Sequence, residues 1–262
     1  MSTEIIKTIS YSGLKIWNEC PYKYKLNYVE KVGGFKGNEY TAFGTALHEA
    51  CEFQLNGTLL TEGSADHFSK RFEEELAGLP VELEKDQKLV GEMKEQGRML
   101  APLVIPALKE KFGNFTFFSA EEELLMDIDR VKDCEFKFRG YVDLIIKAED
   151  GTYAIIDFKT CAWGWDSAKK SDPIVNYQLT FYKYFFSKKH DVPAKEVETY
   201  FALLKRTAKK DNVEVFRVTS GPKKTDNAFN LLDKALYSIG KSNFPKNRLN
   251  CKYCEYYKKE CK

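Results

Sequence analysis

The sequence predicts an α/β domain in which a helical N-terminal part precedes a mixed β-sheet and a cysteine-rich segment follows it. Helix patterns fill the region up to about residue 112, strand-like runs alternate with helix patterns from about 113 to 220, and three cysteines follow residue 250. A helical half followed by a β-β-β-α-β-β order is typical of one α/β domain with a helical elaboration. We therefore expect a single domain over 1–262, with a C-terminal segment, 221–262, that works together with Cys20.

The N-terminal half carries helix start signals and helical periodicity. Ser10 or Ser12 is a candidate N-cap for a helix that runs toward KIWNEC, and Pro21 suits the first turn of a second helix. Pro102 and Pro106 interrupt the last pattern. The buried or amphipathic helix patterns cover 41–55, 64–78 and 84–111.

The second half alternates between two periodicities. Its strand-like runs are rich in β-branched and aromatic residues, which fit a pleated, half-buried surface. These runs cover 115–126, 135–147, 152–159, 197–205 and 212–219, and helix patterns cover 176–189 and 224–239. This order favours a mixed sheet over a purely parallel one, because the first three runs follow one another without a helix between them.

Composition excludes several classes of protein. A hydrophobic content of 43% can fill a substantial core, while 41 Lys and Arg nearly balance 39 Asp and Glu. Any nucleic-acid surface must therefore come from local clustering of charge. The longest apolar stretch, LAPLVIPAL, is short and contains two prolines, so no transmembrane helix is expected. Seven cysteines behind a start that lacks a secretory pattern predict a reducing, cytoplasmic location without disulfides.

The stretch GYVDLIIKAEDGTYAIIDFKT, residues 140–160, has the pattern of a β-hairpin. A two-residue turn at 150–151 would put Asp143 and Asp157 on opposite faces. A three-residue loop, 149–151, with glycine in its left-handed position, would instead place Asp143 directly across from Asp157. Lys159 is two residues further on and shares the face of Asp157.

These three charges admit two interpretations. They could form the solvated face of a half-exposed hairpin, with Lys159 neutralising a neighbour. The flanking runs LIIK and YAII, however, are apolar on both faces, as in strands that are covered on both sides. Buried carboxylates need a partner or a metal ion, so the pattern favours a metal site.

Two helix patterns contribute further candidates. His48 lies in FGTALHEA, with Gly44 one turn before it, and is the histidine of this chain that is embedded in an apolar helix. It is either a core histidine or a metal ligand beside a small residue. Gln178 and Tyr182 share one helix face. They are either packing residues or, near a phosphate-binding site, groups that hold a water or a backbone oxygen.

The cysteines of the tail are spaced as ligands, in the pattern Cys251-x2-Cys254-x6-Cys261. Zinc takes four nitrogen or sulfur donors in a tetrahedron, whereas a [4Fe–4S] cluster takes four thiolates and is often accompanied by a Cys-Pro pair. Cys20-Pro21 supplies such a pair, and a shared site would join the first helix to the last segment. The remaining cysteines are expected to be small buried hydrophobes: Cys51, Cys134 and Cys161.

Basic residues occur beside aromatic ones in four places. Each group could be an ordinary solvated face. Together they could line a groove for a single nucleic-acid strand, with rings that stack on bases and lysines that meet phosphates. The four groups are 22–31, 203–210, 221–225 and 244–248.

In this order, these features resemble the PD-(D/E)XK nuclease superfamily. They are most similar to its RecB-like exonucleases, which include AddB-type and CRISPR-associated members with an iron–sulfur cluster. Val142 stands where the superfamily name has proline, and Asp157 where many members have glutamate. The matching elements, spread over 20–261, are CPYKY, FGTALHEA with His48, RGYVDLI with Asp143, DFKT at 157–160, the Gln178/Tyr182 pair and the three tail cysteines.

The resemblance implies a restriction-endonuclease-like core and a metal-dependent site. In that scheme His48, Asp143 and Asp157 bind Mg²⁺ or Mn²⁺, helped by the backbone carbonyl of Phe158, and Lys159 orients the attacking water. One glutamate of Glu121–Glu123 assists, but the sequence does not choose which. Gln178 and Tyr182 contact DNA, and a structural [4Fe–4S] cluster, with zinc as the alternative, is bound by Cys20, Cys251, Cys254 and Cys261.

The function expected from the resemblance is a Mg²⁺- or Mn²⁺-dependent DNA exonuclease in recombination, repair or end processing. Its substrate would be single-stranded DNA or DNA ends, and recombination or replication proteins would be its partners. Two alternatives stay open at this point. One is a catalytically inactive nuclease-like subunit that binds DNA, and the other is a zinc-stabilised adaptor whose hairpin charges form a surface ion pair.

Overall fold

Helices cover both faces of a mixed β-sheet in the computed structural model, which describes residues 6–32, 36–80 and 86–261. The strands are β1 (Thr8–Ile9), β2 (Phe115–Asp127), β3 (Lys137–Ala148), β4 (Tyr153–Cys161), β5 (Val197–Lys205) and β6 (Val213–Arg217). The helices are α1 (Tyr11–Glu19), α2 (Pro21–Tyr24), α3 (Glu39–Leu55), α4 (Ser64–Gly78), α5 (Gln87–Leu100), α6 (Val104–Phe112), α7 (Ser167–Ser171), α8 (Pro173–His190) and α9 (Pro222–Gly240).

Strand β3 organises the sheet. It pairs antiparallel with β2 along one edge. On its other edge it pairs parallel with β1 at its start and antiparallel with β4 at its end. Strand β5 then lies parallel to β4 and antiparallel to β6. Because β1 pairs with residues 137–138 and β4 with residues 144–147, a gap opens along β3 that ends beside Asp143.

Two apolar cores lie on the two faces of the sheet. One is built around α8 and α9, where Phe138 stacks on Phe185 with ring centroids 4.4 Å apart. The other is built from α3 to α6, where Phe43 meets Phe68 edge to face. Gly97 of α5 makes room for the Phe68 ring, since a Cβ atom at this position would lie 2.0 Å from it. These cores fix α3 and α8 against opposite faces of the site strands.

The structure confirms most of the predicted helices and adjusts their ends. The Ser10 hydroxyl accepts a hydrogen bond from the Gly13 amide at 3.1 Å and caps α1, and Pro21 begins α2. Helix α4 has the predicted bounds. The pattern over 84–111 is two helices rather than one, because a 3₁₀ turn at Ala101–Leu103 separates α5 from α6 at the first proline. Residues 84 and 85 of that pattern lie outside the described residues. In the described part of the chain, no helix has the length and apolar character needed to cross a membrane.

The predicted hairpin register is confirmed. Leu144 lies across from Ile156, and Lys147 lies across from Tyr153, as the three-residue loop requires. Gly151 has a φ of +87°, the left-handed conformation that this loop needs. The hairpin therefore brings Asp143 and Asp157 to the point where β3 and β4 part.

Candidate active site

His48 reaches the site from α3. Asn38 and Thr41 form a capping box at the start of this helix. The imidazole Nδ1 of His48, further along the helix, lies 3.8 Å from Asp143 Oδ2. The His48 ring also lies 5.5 Å from the Phe158 ring, between centroids. The predicted ligand role thus has a geometric basis, because α3 packs across β4 and delivers the ring to the gap in the sheet.

Asp143 is held by the backbone of the neighbouring strand. Its Oδ2 accepts a hydrogen bond from the Phe158 amide at 2.7 Å. That amide is free to donate because the ladder between β3 and β4 ends at Leu144 and Ile156. The carboxylate is 15% exposed, so it faces the cleft while its position is fixed.

Asp157 is almost fully buried, at 1% exposure, and two polar side chains contact its carboxylate. Lys159 Nζ lies 2.5 Å from Oδ2, and Gln178 Nε2 donates to Oδ1 at 2.7 Å. Gln178 also donates to the Tyr182 hydroxyl at 3.1 Å. Oδ2 is buried, and the Lys159 ammonium is its charged partner among the described residues.

The Gln178/Tyr182 pair therefore lies inside the site, on the side of Asp157 that faces α8. Tyr182 is 5% exposed, and its ring packs against Gly140, where a Cβ atom would come within 2.7 Å of it. This burial places the tyrosine behind the carboxylate rather than at the surface. The contacts observed for the pair are those of groups that position Asp157.

Glu121 is the site residue that the sequence does not single out. The neighbouring pairs Ala120–Leu144 and Glu122–Val142 place Glu121 across from Asp143, three residues after an irregularity in β2. Its φ of +46° is left-handed, which interrupts the normal alternation of side chains. One ligand atom each from His48, Glu121 and Asp143 lies within 4.8 Å of the others.

The other two glutamates of this stretch are engaged elsewhere. Glu122 is bound by Lys189 at 2.8 Å and by His190 at 2.5 Å. Glu123 is bound by Arg139 at 3.0 Å. Among the described residues, Glu121 alone of the three has no ion-pair partner. The structure thus selects a candidate from three adjacent glutamates, a choice that depends on the backbone conformation of β2 and has no signal in the sequence.

The charges in the site repel one another. Burial raises the pKa of both Asp143 and Asp157 to about 6, although Lys159 opposes the rise. Burial and the Asp143 carboxylate raise the pKa of Glu121 to about 7. Burial lowers the pKa of His48 to about 4, so its ring is neutral at pH 7, the form that binds metals. A divalent cation would relieve this concentration of negative charge.

These groups open onto a cleft of about 560 Å³. Lys159 and Thr160 of β4 form one wall, and His48 and Glu121 form the part nearest the carboxylates. Gly44 lies at the wall of the cleft, where an added Cβ atom would be 3.6 Å from the Thr160 hydroxyl. A methyl group at this position would make an ordinary contact with Thr160 and narrow the cleft beside it.

The four predicted cluster ligands line a second cavity, of about 600 Å³. All are free thiols, contributed by Cys20, Cys251, Cys254 and Cys261. The two ends of the described chain meet here, since the Asn247 side-chain amide donates to the Glu19 carbonyl at 2.9 Å and the Asn247 backbone amide contacts Cys20 Sγ at 3.3 Å.

The remaining cysteines only partly follow the prediction. Cys51 is fully buried in the core beneath α3, as expected. Cys134 and Cys161 are only partly buried, so the prediction was wrong for them. Cys134 lies in the loop before β3 and Cys161 at the last position of β4, where each packs against the edge of the core and stays partly exposed.

The four basic and aromatic groups are distributed over more than one surface. Two of them meet, because Lys246 lies over the Tyr22 ring and the Tyr22 amide donates to the Pro245 carbonyl. Another borders the cleft, where the Arg206 guanidinium lies 5.3 Å from the centre of the Tyr40 ring. The group at 221–225 begins α9.

Comparison with known proteins agrees with this geometry. Residues 8–261 match the model of the PD-(D/E)XK nuclease superfamily. No curated protein is similar enough in sequence to match. A crystal structure from Eubacterium rectale named "Putative exonuclease" has a TM-score of 0.60 and 12% identity, covering 95% of this chain and 86% of that one. A crystal structure of SSO0001 has a TM-score of 0.45 and 17% identity, covering 98% and 86%.

At these identities the Eubacterium rectale structure shows a shared fold alone. The mixed sheet with helices on both faces is consistent with the predicted restriction-endonuclease-like core. The family match extends from β1 to the last tail cysteine and includes every predicted site residue. The chain therefore belongs to the PD-(D/E)XK nuclease superfamily.

Proposed function

We propose that this protein is a divalent-metal-dependent DNA exonuclease that hydrolyses phosphodiester bonds. The observation that carries the proposal is the convergence of His48, Glu121 and Asp143 in an open cleft, next to the ion pair of Asp157 and Lys159. Superfamily membership supports nuclease chemistry, and the name of the Eubacterium rectale protein suggests the exonuclease mode. The proposed setting is recombination, repair or end processing, with recombination or replication proteins as partners.

The donor set fits a hard divalent cation. Glu121 and Asp143 offer carboxylate oxygens, which suit Mg²⁺, and the neutral His48 ring makes Mn²⁺ a second suitable ion. Asp157 lies outside this group of three converging donors and would be a further ligand, together with the Phe158 carbonyl. When bound, such a cation lowers the pKa of a coordinated water and stabilises the charge that develops on the scissile phosphate.

Lys159 and its neighbours would prepare the attack. The ammonium beside Asp157 can donate to the attacking water and stabilise the negative charge that builds on the phosphate. Gln178 fixes Asp157 Oδ1, which keeps the ion pair in one orientation. Burial lowers the pKa of Lys159, but the Asp157 and Asp143 carboxylates raise it by more, so the pKa is raised overall and Lys159 stays an ammonium at neutral pH.

Cleavage of end-labelled linear DNA, single- and double-stranded, in the presence of Mg²⁺ or Mn²⁺ tests the proposal. Circular DNA has no ends, so it distinguishes an exonuclease from an endonuclease. We expect metal-dependent loss of the linear substrates and survival of circles. Asp143→Asn should abolish cleavage while the variant still folds and unfolds in one cooperative thermal transition. Asp150→Asn, in the exposed turn of the same hairpin, is the matched control and should cut normally. Equal cutting by Asp143→Asn and wild type would refute the site, and cleavage of circles would refute the exonuclease mode.

We further propose that the four cysteines hold a structural [4Fe–4S] cluster. The cavity that they line supports an occupant larger than one ion. Four thiols are the full ligand set of a [4Fe–4S] cluster, and they also satisfy a tetrahedral zinc ion, whereas the volume of the cavity, about 600 Å³, favours the larger group. Visible absorption and elemental analysis of anaerobically purified protein decide between the cluster and zinc. Iron and sulfide together with visible colour support the cluster, and stoichiometric zinc refutes it.

A further inference from the structure

Two exposed aromatic side chains lie along the route from the catalytic cleft to the end of β4. Tyr40, at the start of α3, lines the cleft and is 49% exposed. Trp163 follows β4 and is 73% exposed. Large aromatic rings are normally buried, and neither of these belongs to the two apolar cores.

The backbone ties Trp163 closely to the cleft. Thr160 lines the cleft, and three residues of extended chain span at most about 11 Å. The carbonyls of Cys161 and Ala162 accept hydrogen bonds from the Arg206 and Thr207 amides, at 2.9 and 3.1 Å. Trp163 is therefore displayed from a segment that the end of β5 holds in place.

Positive charge accompanies the rings. The Arg206 guanidinium lies 5.3 Å from the centre of the Tyr40 ring, and Gln96 accepts a hydrogen bond from its Nη1 at 2.8 Å. Arg206 has no carboxylate partner among the described residues, and Lys209 and Lys210 follow it, exposed. This surface, made of Tyr40, Trp163, Arg206, Lys209 and Lys210, combines ring faces with unneutralised cations.

We infer that this surface binds the single-stranded segment of DNA next to the scissile phosphate, with bases stacked on Tyr40 and Trp163 and phosphates beside Arg206. The inference rests on the proposed function, since it extends the same cleft. Stacking on aromatic rings and backbone contact with cations is how proteins bind single strands without reading their sequence. A rigid duplex does not offer its base faces, so the surface favours single-stranded DNA or frayed ends.

Binding of a fluorescent oligothymidylate is the test, measured in an Asp143→Asn background so that the strand stays intact. Stacking on one ring changes affinity by about 5- to 150-fold, so Trp163→Ala should weaken binding within that range and Trp163→Phe should restore most of it. Tyr237→Ala is the control, because Tyr237 is 69% exposed on α9, away from the cleft. The fluorescence of Trp163 should also be quenched by the oligonucleotide, and this quenching should disappear in Trp163→Phe.

A small substrate separates this inference from the proposed function. Thymidine 5′-(p-nitrophenyl) phosphate has one phosphodiester and no neighbouring strand, so its hydrolysis by the wild-type protein reports the chemistry of the proposed function separately from strand binding. If wild type cuts neither this compound nor DNA, the proposed function fails, while the binding measurements still decide the inference. Unchanged oligonucleotide affinity in both Trp163→Ala and Tyr40→Ala, or equal loss in Tyr237→Ala, would overturn it.

Discussion

Replacement of Glu121 by glutamine gives the most direct test of the metal site. The substitution keeps the shape of the side chain but removes one of three converging donors and the negative charge opposite Asp143. At pH 8 the wild-type carboxyl is ionised, because its pKa is raised only to about 7. The metal-free variant should therefore be more stable than metal-free wild type, since loss of the Glu121 charge relieves repulsion with Asp143.

Metal should reverse that order. A cation at about 100 times its dissociation constant stabilises a protein by about 2.7 kcal/mol. If loss of the ligand weakens binding by 10- to 100-fold, about 1.3 to 2.3 kcal/mol of that stabilisation disappears. For a chain of this size the difference corresponds to about 3 to 10 °C in the metal-induced rise of Tm.

Thermal unfolding with and without Mn²⁺ at pH 8 measures both effects, and Glu123→Gln is the matched control. Glu123 lies two residues along the same strand but pairs with Arg139 and Tyr141 outside the donor group. The control should keep the full metal-induced rise in Tm. If Glu121→Gln keeps it as well, Glu121 is not a ligand and the donor group has been misassigned.

Three further predictions concern the ion pair, the packing of α5 and the cysteine site. Lys159→Met should lower the rate of cleavage by about 100-fold or more. Because loss of the ammonium lets the pKa of Asp157 rise above about 6, the free energy of unfolding of the variant should fall relative to wild type above pH 6, by about 1.4 kcal/mol per pH unit. In urea titrations near pH 5 the two proteins should be equally stable. A pH-independent difference would contradict this. Gly97→Ala should cost about 1–3 kcal/mol in the same assay, since the new methyl group overlaps the Phe68 ring, and unchanged stability would show that the ring moves freely. Cys254→Ala should abolish the visible absorption and lower the Tm together. A colourless wild-type protein with the same Tm as Cys254→Ala would exclude the cluster.

The sign of the pH effect follows from proton binding. A carboxyl whose pKa is higher in the folded state than in the unfolded state binds more protons when folded, so stability falls as pH rises through that interval. Asp157 and Asp143 both behave in this way in the absence of metal, between the usual aspartate pKa of about 3.9 and about 6. His48 acts in the opposite direction, because its pKa is lowered to about 4, so its contribution grows as pH rises to about 6.5.

Local patterns determined the elements and the hairpin. The register of β3 and β4 depends on one loop, and a glycine at the left-handed position of a three-residue connection is a short-range signal. Periodicity likewise located α3, α4 and α8, because each helix presents an apolar face to one of the two cores. His48, Asp143, Asp157 and Lys159 could be nominated from the sequence, since charges within apolar runs are conspicuous without any knowledge of the fold.

Contacts between distant segments could not be obtained in this way. The choice of Glu121 from three consecutive glutamates depends on its left-handed backbone conformation in β2 and on the ion pairs that Lys189 and Arg139 make with the other two. The position of Gln178 beside Asp157 depends on how α8 packs against the sheet. Residue type and short-range spacing are local properties, so the amino-acid sequence was enough to nominate His48, Asp143, Asp157 and Lys159 as candidates. Which candidates meet, and that Glu121 joins them, depends on the packing of whole helices and strands against one another.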